Sequence, residues 1–279
     1  MIVTHSGRFH ADDVFATAMI LMIETHEVVR SRDEEVIAQA DVVLDVGAEY
    51  DPSRRRYDHH QNSFTEQRAN GVPYATAGLV WKHYAHQILA KKGLQDPEMQ
   101  NFAFEWVDKK LINDIDAVDN GLFSDDPRPS ISQVIAMMNR SSDEPEEQLI
   151  AFNQAVELTS NILDNYIKAG IKEAEVAQEL HAYLPSVEAG VLVLDKNLPF
   201  KDFLRSQPQI HRVVYPRSED SYGVYCNGQD NHLPQRFRGL RDQELVAVSG
   251  LDDAIFCHKS GFMAVTVSQQ SALALAESK

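Results

Sequence analysis

The sequence predicts an α/β protein: a doubly wound, mostly parallel sheet domain with a helical connector over residues 1–182, then a smaller C-terminal α/β domain over 183–279. Three observations carry this reading. Short apolar runs alternate with helical patterns as far as residue 114, the order that builds strand–helix–strand units. Residues 143–182 are rich in Glu, Ala, Leu and Gln with no proline after Pro145, which suits long helical material joining two lobes. From "YLPSVEAGVLVLD" onward a second group of strand patterns begins.

The elements follow in order. "MIVT" is a first strand ending at His5, and "DDVFATAMILMIE" (12–24) is a helix opened by two acids, which favour a helix N-terminus. "EVVRS" (27–31) is a second strand, and "ADVVLDVG" (40–47) reads as a buried strand closing on Asp45 and a glycine. "YDPSRRRYDHH" is a turn or loop leading into an extended stretch. "YATAGLVWKHYAHQILAKK" (74–92) and "DPEMQNFAFEWVDKKLIND" (96–114) are helical. "DAVDNGLF" holds turn chemistry in its Asp-Asn-Gly, and "SDDPRPS" (124–130) is a proline-containing loop. In the second domain "HRVVYP", "SYGVYC", "DAIFCHKSGF" and "MAVTV" are strands with short helices between them.

Composition narrows the function. No stretch reaches the ~18 uninterrupted apolar residues of a membrane span. The opening "MIVTHSGRFH" has no basic region followed by an apolar run, so no secretory signal is expected. Two cysteines, Cys226 and Cys257, in 279 residues speak for a reducing compartment, and a cytoplasmic location is expected. The formal net charge of -16 disfavours coating a long polyanion, so a nucleic-acid partner should be short or held at a local basic patch such as Arg54–Arg56.

Potential metal ligands crowd the first 120 residues. His5, His10 and Asp12 lie in "THSGRFHADD", Asp45 ends a strand, and Asp58, His59 and His60 stand together in "RYDHHQNSF". Asp114, Asp116 and Asp119 lie in "NDIDAVDNG". Each has a plain structural explanation when taken singly: a helix-start acid, a half-buried histidine, a surface loop, a turn. Their conjunction at places where strands should end is harder to explain that way. Metal-assisted phosphoryl hydrolysis is the chemistry that uses such a set, with two divalent cations sharing a bridging carboxylate such as Asp45. Mixed imidazole and carboxylate ligands suit manganese, iron, cobalt or zinc rather than magnesium.

These residues resemble the DHH phosphoesterase superfamily, whose triplet stands here as Asp58-His59-His60. Its opening histidine, Asp-x-Asp, strand-end aspartate and late aspartate are matched by His5, His10-Ala11-Asp12, Asp45 and Asp119-Asn120-Gly121. The chain is more closely similar to the melanocyte-proliferating-gene branch, through "THSGRFHADDVFA", "RRRYDHHQ", "YATAGLVW" and "SGLDDAIFCHKSGFMA". The resemblance implies one metal held by His5, His10 and Asp45 and a second held by Asp12, Asp45, His59 and Asp119, with two manganese ions as the cofactor. It implies that His60 faces the substrate phosphate and that Asp58 supports the histidines. His10 departs from the superfamily, which has aspartate there, and Asp116 competes with Asp119 as the last ligand. In the C-terminal domain, the arginines Arg236 and Arg238 of "RFRGLR" and the turn His258, Lys259, Ser260 and Gly261 are the expected substrate-binding residues.

The expected activity is therefore that of a metal-dependent phosphodiesterase, a 3′–5′ exonuclease acting on RNA or short oligonucleotides through metal-activated water. Two alternatives stand beside it: a phosphatase or pyrophosphatase for a small phosphorylated metabolite, and a non-catalytic metal-stabilised binding protein. Peptide hydrolysis lacks an HExxH pattern. A homo-oligomer is compatible with all of these.

Overall fold

The structure, a computed structural model, describes residues 1–122, 128–141 and 144–278. Most of the expected loop at 124–130 lies outside the described residues. The chain divides into two compact units, Met1–Ala174 and Glu175–Lys279.

The first unit is built on a five-stranded sheet. In chain order its elements are β1 (Ile2–Thr4), α1 (Ala11–Ile23), β2 (Val28–Arg30), α2 (Glu34–Ala38), β3 (Val42–Leu44), β4 (Tyr50–Asp51) and β5 (Arg56–Tyr57). The strands lie in the order β2-β1-β3-β5-β4. All pairings are parallel except β4 with β5, an antiparallel edge. Alternation along the strands fixes which layer each side chain serves. Ile2, Val42 and Leu44 join the large core that includes α1, whereas Val3 and Val43 join a small cluster with Val36 and Ile37 around α2. Helices therefore cover both faces, as a doubly wound sheet requires.

α3 (Thr76–Lys91) packs against α1, and its buried Trp81 stacks on Phe104 and donates from Nε1 to the Phe104 carbonyl at 3.2 Å. α4 (Pro97–Val107) starts with Asp96 accepting from the Met99 amide and proline in its first turn, a standard start signal. It runs through a π-helical turn at Asp108–Ile112 into α5 (Asn113–Asp119). "DAVDNG" is thus mostly helix rather than turn, and the chain turns only past Asp119. The reason is burial: Ile115, Asp116 and Ala117 are enclosed, and packing overrides the local preference of Asp, Asn and Gly. α6 (Ile131–Ala136) begins with a capping box between Ser130 and Gln133. α7 (Pro145–His181) is a single 37-residue helix that begins in the first unit and ends in the second.

The second unit adds β6 (Val191–Val193), α8 (Lys201–Leu204), β7 (Arg212–Ser218), β8 (Ser221–Cys226), α9 (Asp242–Ser249), β9 (Ala254–Cys257), β10 (Met263–Thr266) and α10 (Gln269–Glu277). Its sheet has the order β6-β7-β8-β10-β9, with β6 and β7 parallel and the other pairs antiparallel. Val214, Val224, Leu245, Ala264 and Leu275 form its separate core. The fold is α/β in both units. Among the described residues no helix is long and apolar enough to cross a membrane.

Candidate metal centre

Sheet register brings the centre together. Thr4 pairs with Leu44, and Leu44 pairs with Tyr57, across three adjacent parallel strands. The next residue of each strand is His5, Asp45 or Asp58, so all three emerge side by side at the carboxyl edge, where open α/β sheets collect ligands. The chain bends sharply as it leaves β3. Asp45 sits in the left-handed region at φ 57°, which costs an aspartate about 1 kcal/mol or more and is tolerated mainly where surroundings over-determine it. Here the Asp45 amide donates to the Tyr57 carbonyl at 3.0 Å, and Thr76 Oγ1, at the start of α3, lies 3.0 Å from Asp45 Oδ1.

Two more groups complete the cluster. The loop after β1 leads into α1, whose first turn supplies Asp12 and Asp13, with His10 just ahead of it. Asn139 holds this loop: its side chain accepts from the Phe9 amide and donates to the Phe9 carbonyl, both at 2.9 Å. From the far side the end of α5 brings in Asp119.

Imidazoles and carboxylates interleave. His5 Nε2 lies 3.4 Å from Asp45 Oδ2, and His59 Nε2 lies 3.5 Å from Asp45 Oδ1, 3.2 Å from Asp119 Oδ2 and 3.8 Å from Asp12 Oδ2. His10 Nδ1 is 3.8 Å from Asp119 Oδ1. Three groups each place one donor atom per residue within 4.8 Å of one another: His5 with His10 and Asp45, Asp45 with His59 and His60, and His10 with Asp12 and Asp119. Asp116 is not among them. It is fully buried and spent on Arg68 Nη1 at 2.7 Å and the Gly78 amide at 2.9 Å, while Arg68 also grips Asp108 at 2.7 and 2.8 Å. Asp114 donates nothing to the cluster; its Oδ1 accepts from Asn113.

Whether these residues suit a cation can be judged from their unmet bonds. Both oxygens of Asp12, which is 0% exposed, have no hydrogen-bond partner, and neither do Nε2 of His5 and Nε2 of His59. A buried carboxylate with no donor is costly, and buried charges are normally paired or bound to metals. His5 Nδ1 faces the Ser6 carbonyl at 3.1 Å, an arrangement that puts its proton on Nδ1 and turns the Nε2 lone pair inward. The donor set fits divalent cations that accept both imidazole and carboxylate.

The ionisation of the metal-free cluster reflects the same crowding. Burial pushes Asp12 well up, with Asp45 and Asp119 adding repulsion. Burial likewise raises Asp13, to about 7, against the opposing pull of His5. Burial would raise Asp45 too, but the imidazoles of His5 and His59, 3.4 and 3.5 Å away, outweigh that and hold it low. Burial opposes protonation of His59, yet Asp119 and Asp45 lift it to about 10.

The Asp-His-His triplet divides its labour. Asp58 Oδ2 accepts from the Ala48 amide, and Oδ1 accepts from the His60 amide at 3.0 Å and faces His60 Nδ1 at 2.8 Å. It therefore fixes the loop behind Asp45 and orients His60, whose side chain is 59% exposed, rather than touching His59. The hydrogen bond to Asp58 raises His60.

Three contributors were not anticipated from the sequence. Asp13 sits 3.3 Å from His5 Nε2 and accepts from the His10 amide at 2.9 Å; its place in "HADD" was the available signal. Thr76 lies in "YATAGLVW", already noted as a family-like string. Asn139 had no local signal.

In the second unit Arg238 and Gly239 lie against the turn that carries His258, Lys259, Ser260 and Gly261. The turn between β9 and β10 carries His258–Gly261, with His258 Nδ1 facing Ser260 Oγ at 2.8 Å. Arg238 packs against Gly261 so closely that any β-carbon there would overlap its side chain, and its Nε donates to the Leu233 carbonyl at 2.7 Å. Lys259 lies beside Gly239, and the Arg236 guanidinium stacks 4.5 Å from the Phe237 ring.

The MYG1 exonuclease of Homo sapiens is 32% identical over 314 residues, covering 98% of this chain and 84% of that protein. The MYG1 protein of Dictyostelium discoideum is 30% identical over 311 residues, covering 99% and 94%. The solved structure of exonuclease RecJ bound to manganese aligns over 99% of this chain and 89% of its own, at 13% identity and a TM-score of 0.28, too distant to argue from. The family described as "MYG1_exonuc: Uncharacterised protein family (UPF0160)" matches residues 1–279. The resemblance read from the "HADD" and Asp-His-His strings thus extends along the whole sequence, and the chain belongs to the MYG1 family.

Proposed function

We propose that this protein is a metal-dependent phosphodiesterase that removes nucleotides from the 3′ end of RNA or short oligonucleotides. The observation that carries the reading is the set of buried, unpartnered donor atoms on Asp12, His5 and His59 around Asp45. The exonuclease names of its relatives support the choice of a phosphodiester substrate. His5, His10 and Asp45 would hold one cation and Asp12, Asp45, His59 and Asp119 a second, with manganese suited to both sets. Two such cations lower the pKa of an attacking water and polarise the phosphoryl oxygen.

The chain's own groups do the rest. Asp45 is aimed by its left-handed turn and by Thr76. His60, exposed and favoured in its protonated form by Asp58, presents a positive imidazole to the substrate phosphate. In the division of labour we favour, residues 1–182 carry the chemistry and residues 183–279 hold substrate through Arg236, Arg238, His258, Lys259, Ser260 and Gly261. The two free cysteines, both buried, suit the cytoplasm. A phosphatase or pyrophosphatase is the second reading, favoured by the net charge of -16, because small substrates need no extended basic track.

A metal-titrated screen over short RNA, short DNA, dinucleotides and pyrophosphate separates the two. Manganese-dependent release of mononucleotides is the expected result. Turnover confined to pyrophosphate or monoesters would move the assignment to the second reading, and full turnover in chelated protein would end both.

A further inference from the structure

α6 packs on both α1 and α5. Where the three helices meet, they form a cavity of about 260 Å³ that is open to solvent on one side. One side of it is the metal centre itself, through His10, Asp12 and Asp119. The remaining wall is mainly small and apolar, with Ala11, Ile115, Val118 and Ala136, and carries two polar residues, Ser132 and Gln133. Alanine on both α1 and α6 is what leaves the space open. The wall carries one polar feature without a counterpart, Ser132 Oγ, which is buried and has no hydrogen-bond partner among the described residues. Native structures rarely leave such a hydroxyl unmatched.

A phosphate finds no cationic side chain on this wall, which offers aliphatic carbon, the Ser132 hydroxyl and the Gln133 amide. An uncharged ring does. The volume lies below the ~300–1,000 Å³ typical of sites that enclose a whole drug-sized ligand, so one ring system fits and a complete nucleotide does not. The cavity also adjoins the ligands that would hold the phosphate. We infer that it receives the nucleobase of the nucleotide being released, an assignment that rests on the phosphodiesterase reading. Among the described residues no Phe, Tyr or Trp lines it, and its one ring, His10, lies on the metal-centre side, so the base is held by fit against aliphatic side chains rather than by stacking. Ser132 meets the base edge with a hydroxyl that can donate or accept, which suits any of the four bases. The site accordingly recognises the presence of a base more than its identity.

The test is a binding measurement that needs no turnover. Calorimetry on the manganese-loaded protein compares each of the four 5′-mononucleotides with ribose 5-phosphate, which shares the phosphate and sugar but lacks the base. The mononucleotides should bind about tenfold more tightly or better, from the apolar surface they bury. Ala136→Phe, at an exposed position where the added ring disturbs no core, should erase that preference while ribose 5-phosphate still binds; Ser132→Val should narrow it. Equal affinity for mononucleotide and ribose 5-phosphate in the wild type would overturn the assignment, as would a preference that survives Ala136→Phe. If the preference is present, and lost in Ala136→Phe, while no phosphodiester is ever cleaved, the cavity assignment stands and the proposed reaction falls.

Discussion

Manganese binding should expel protons, and the amount follows from the geometry of His59. With Asp119 Oδ2 at 3.2 Å and Asp45 Oδ1 at 3.5 Å, this imidazole holds its proton up to about pH 10 in the metal-free protein. At pH 7.5 it is therefore almost wholly protonated, and a cation must displace that proton to use Nε2. About one proton per protein should be released from His59, and a fraction more from Asp12 and Asp13, whose burial also favours the protonated form. The apparent association constant should then rise by about tenfold per pH unit between roughly pH 6.5 and 9, equivalent to about 1.4 kcal/mol per unit. Calorimetry in buffers of different ionisation enthalpy measures the count directly. A companion effect has the opposite sign. Because His59 is raised on folding, it stabilises the metal-free protein fully below its unfolded value near 6.5, and that contribution fades as pH climbs toward 10. The metal-free melting temperature should accordingly drop between pH 7 and 10, while the manganese-loaded protein loses this dependence. Buffer-independent binding enthalpies, or an affinity flat with pH, would refute the idea that His59 is a ligand held protonated by its carboxylate neighbours.

Asp12→Asn replaces an acid that burial and the neighbouring Asp45, Asp119 and Asp13 make costly to ionise, so the metal-free variant should be more stable by about 1–2 kcal/mol at pH 8 while manganese affinity collapses; paired thermal melts and metal titration check both halves. Arg68→Met strands the buried Asp116 and should cost about 3–5 kcal/mol of unfolding free energy, read by denaturant titration, because removing one partner of a buried pair leaves the other charge unmatched. Gly78→Ala should damage the same pair by another route, since its new methyl would overlap the Asp116 carboxylate. Asn139→Ala frees the loop before α1 and should weaken manganese binding with little change in the unfolding midpoint of the metal-free protein; an unaltered affinity would show that the loop holds its shape alone.

The sheet and the centre of the site were legible for one reason. His5, Asp45 and the Asp58–His60 triplet each follow an apolar or extended run, and a parallel sheet converts strand-end positions scattered over more than fifty residues into neighbours. Local pattern sufficed there because the periodicity of a strand is local. It did not suffice for α5, where Asp-Asn-Gly suggested a turn and burial of Ile115 and Ala117 imposed a helix as far as Asp119. Nor did it reveal Asn139, whose clasp on Phe9 joins positions 130 residues apart and leaves no mark on its own neighbours. Asp13 was visible yet easily taken for a helix-start acid, which it also is. No local pattern separates Asp116 from Asp119; in the structure Arg68 holds the first, while His10 and His59 face the second.

The π-helical turn at Asp108–Ile112 bears on all of this through winding phase. In an unbroken α-helix, eight residues rotate through about 800°, which would leave Asp108 and Asp116 about 80° out of alignment. The wider turn absorbs the mismatch, so both acids point at the same guanidinium, that of Arg68. Everything downstream inherits the corrected bearing, Asp119 included. Excising one residue from that bulge would leave seven steps, about 700°, between the two acids, so ordinary winding would return with Asp116 and Asp119 still close to their present bearings; forcing the turn into regular α-helix at full length would instead swing the last acid off the histidines.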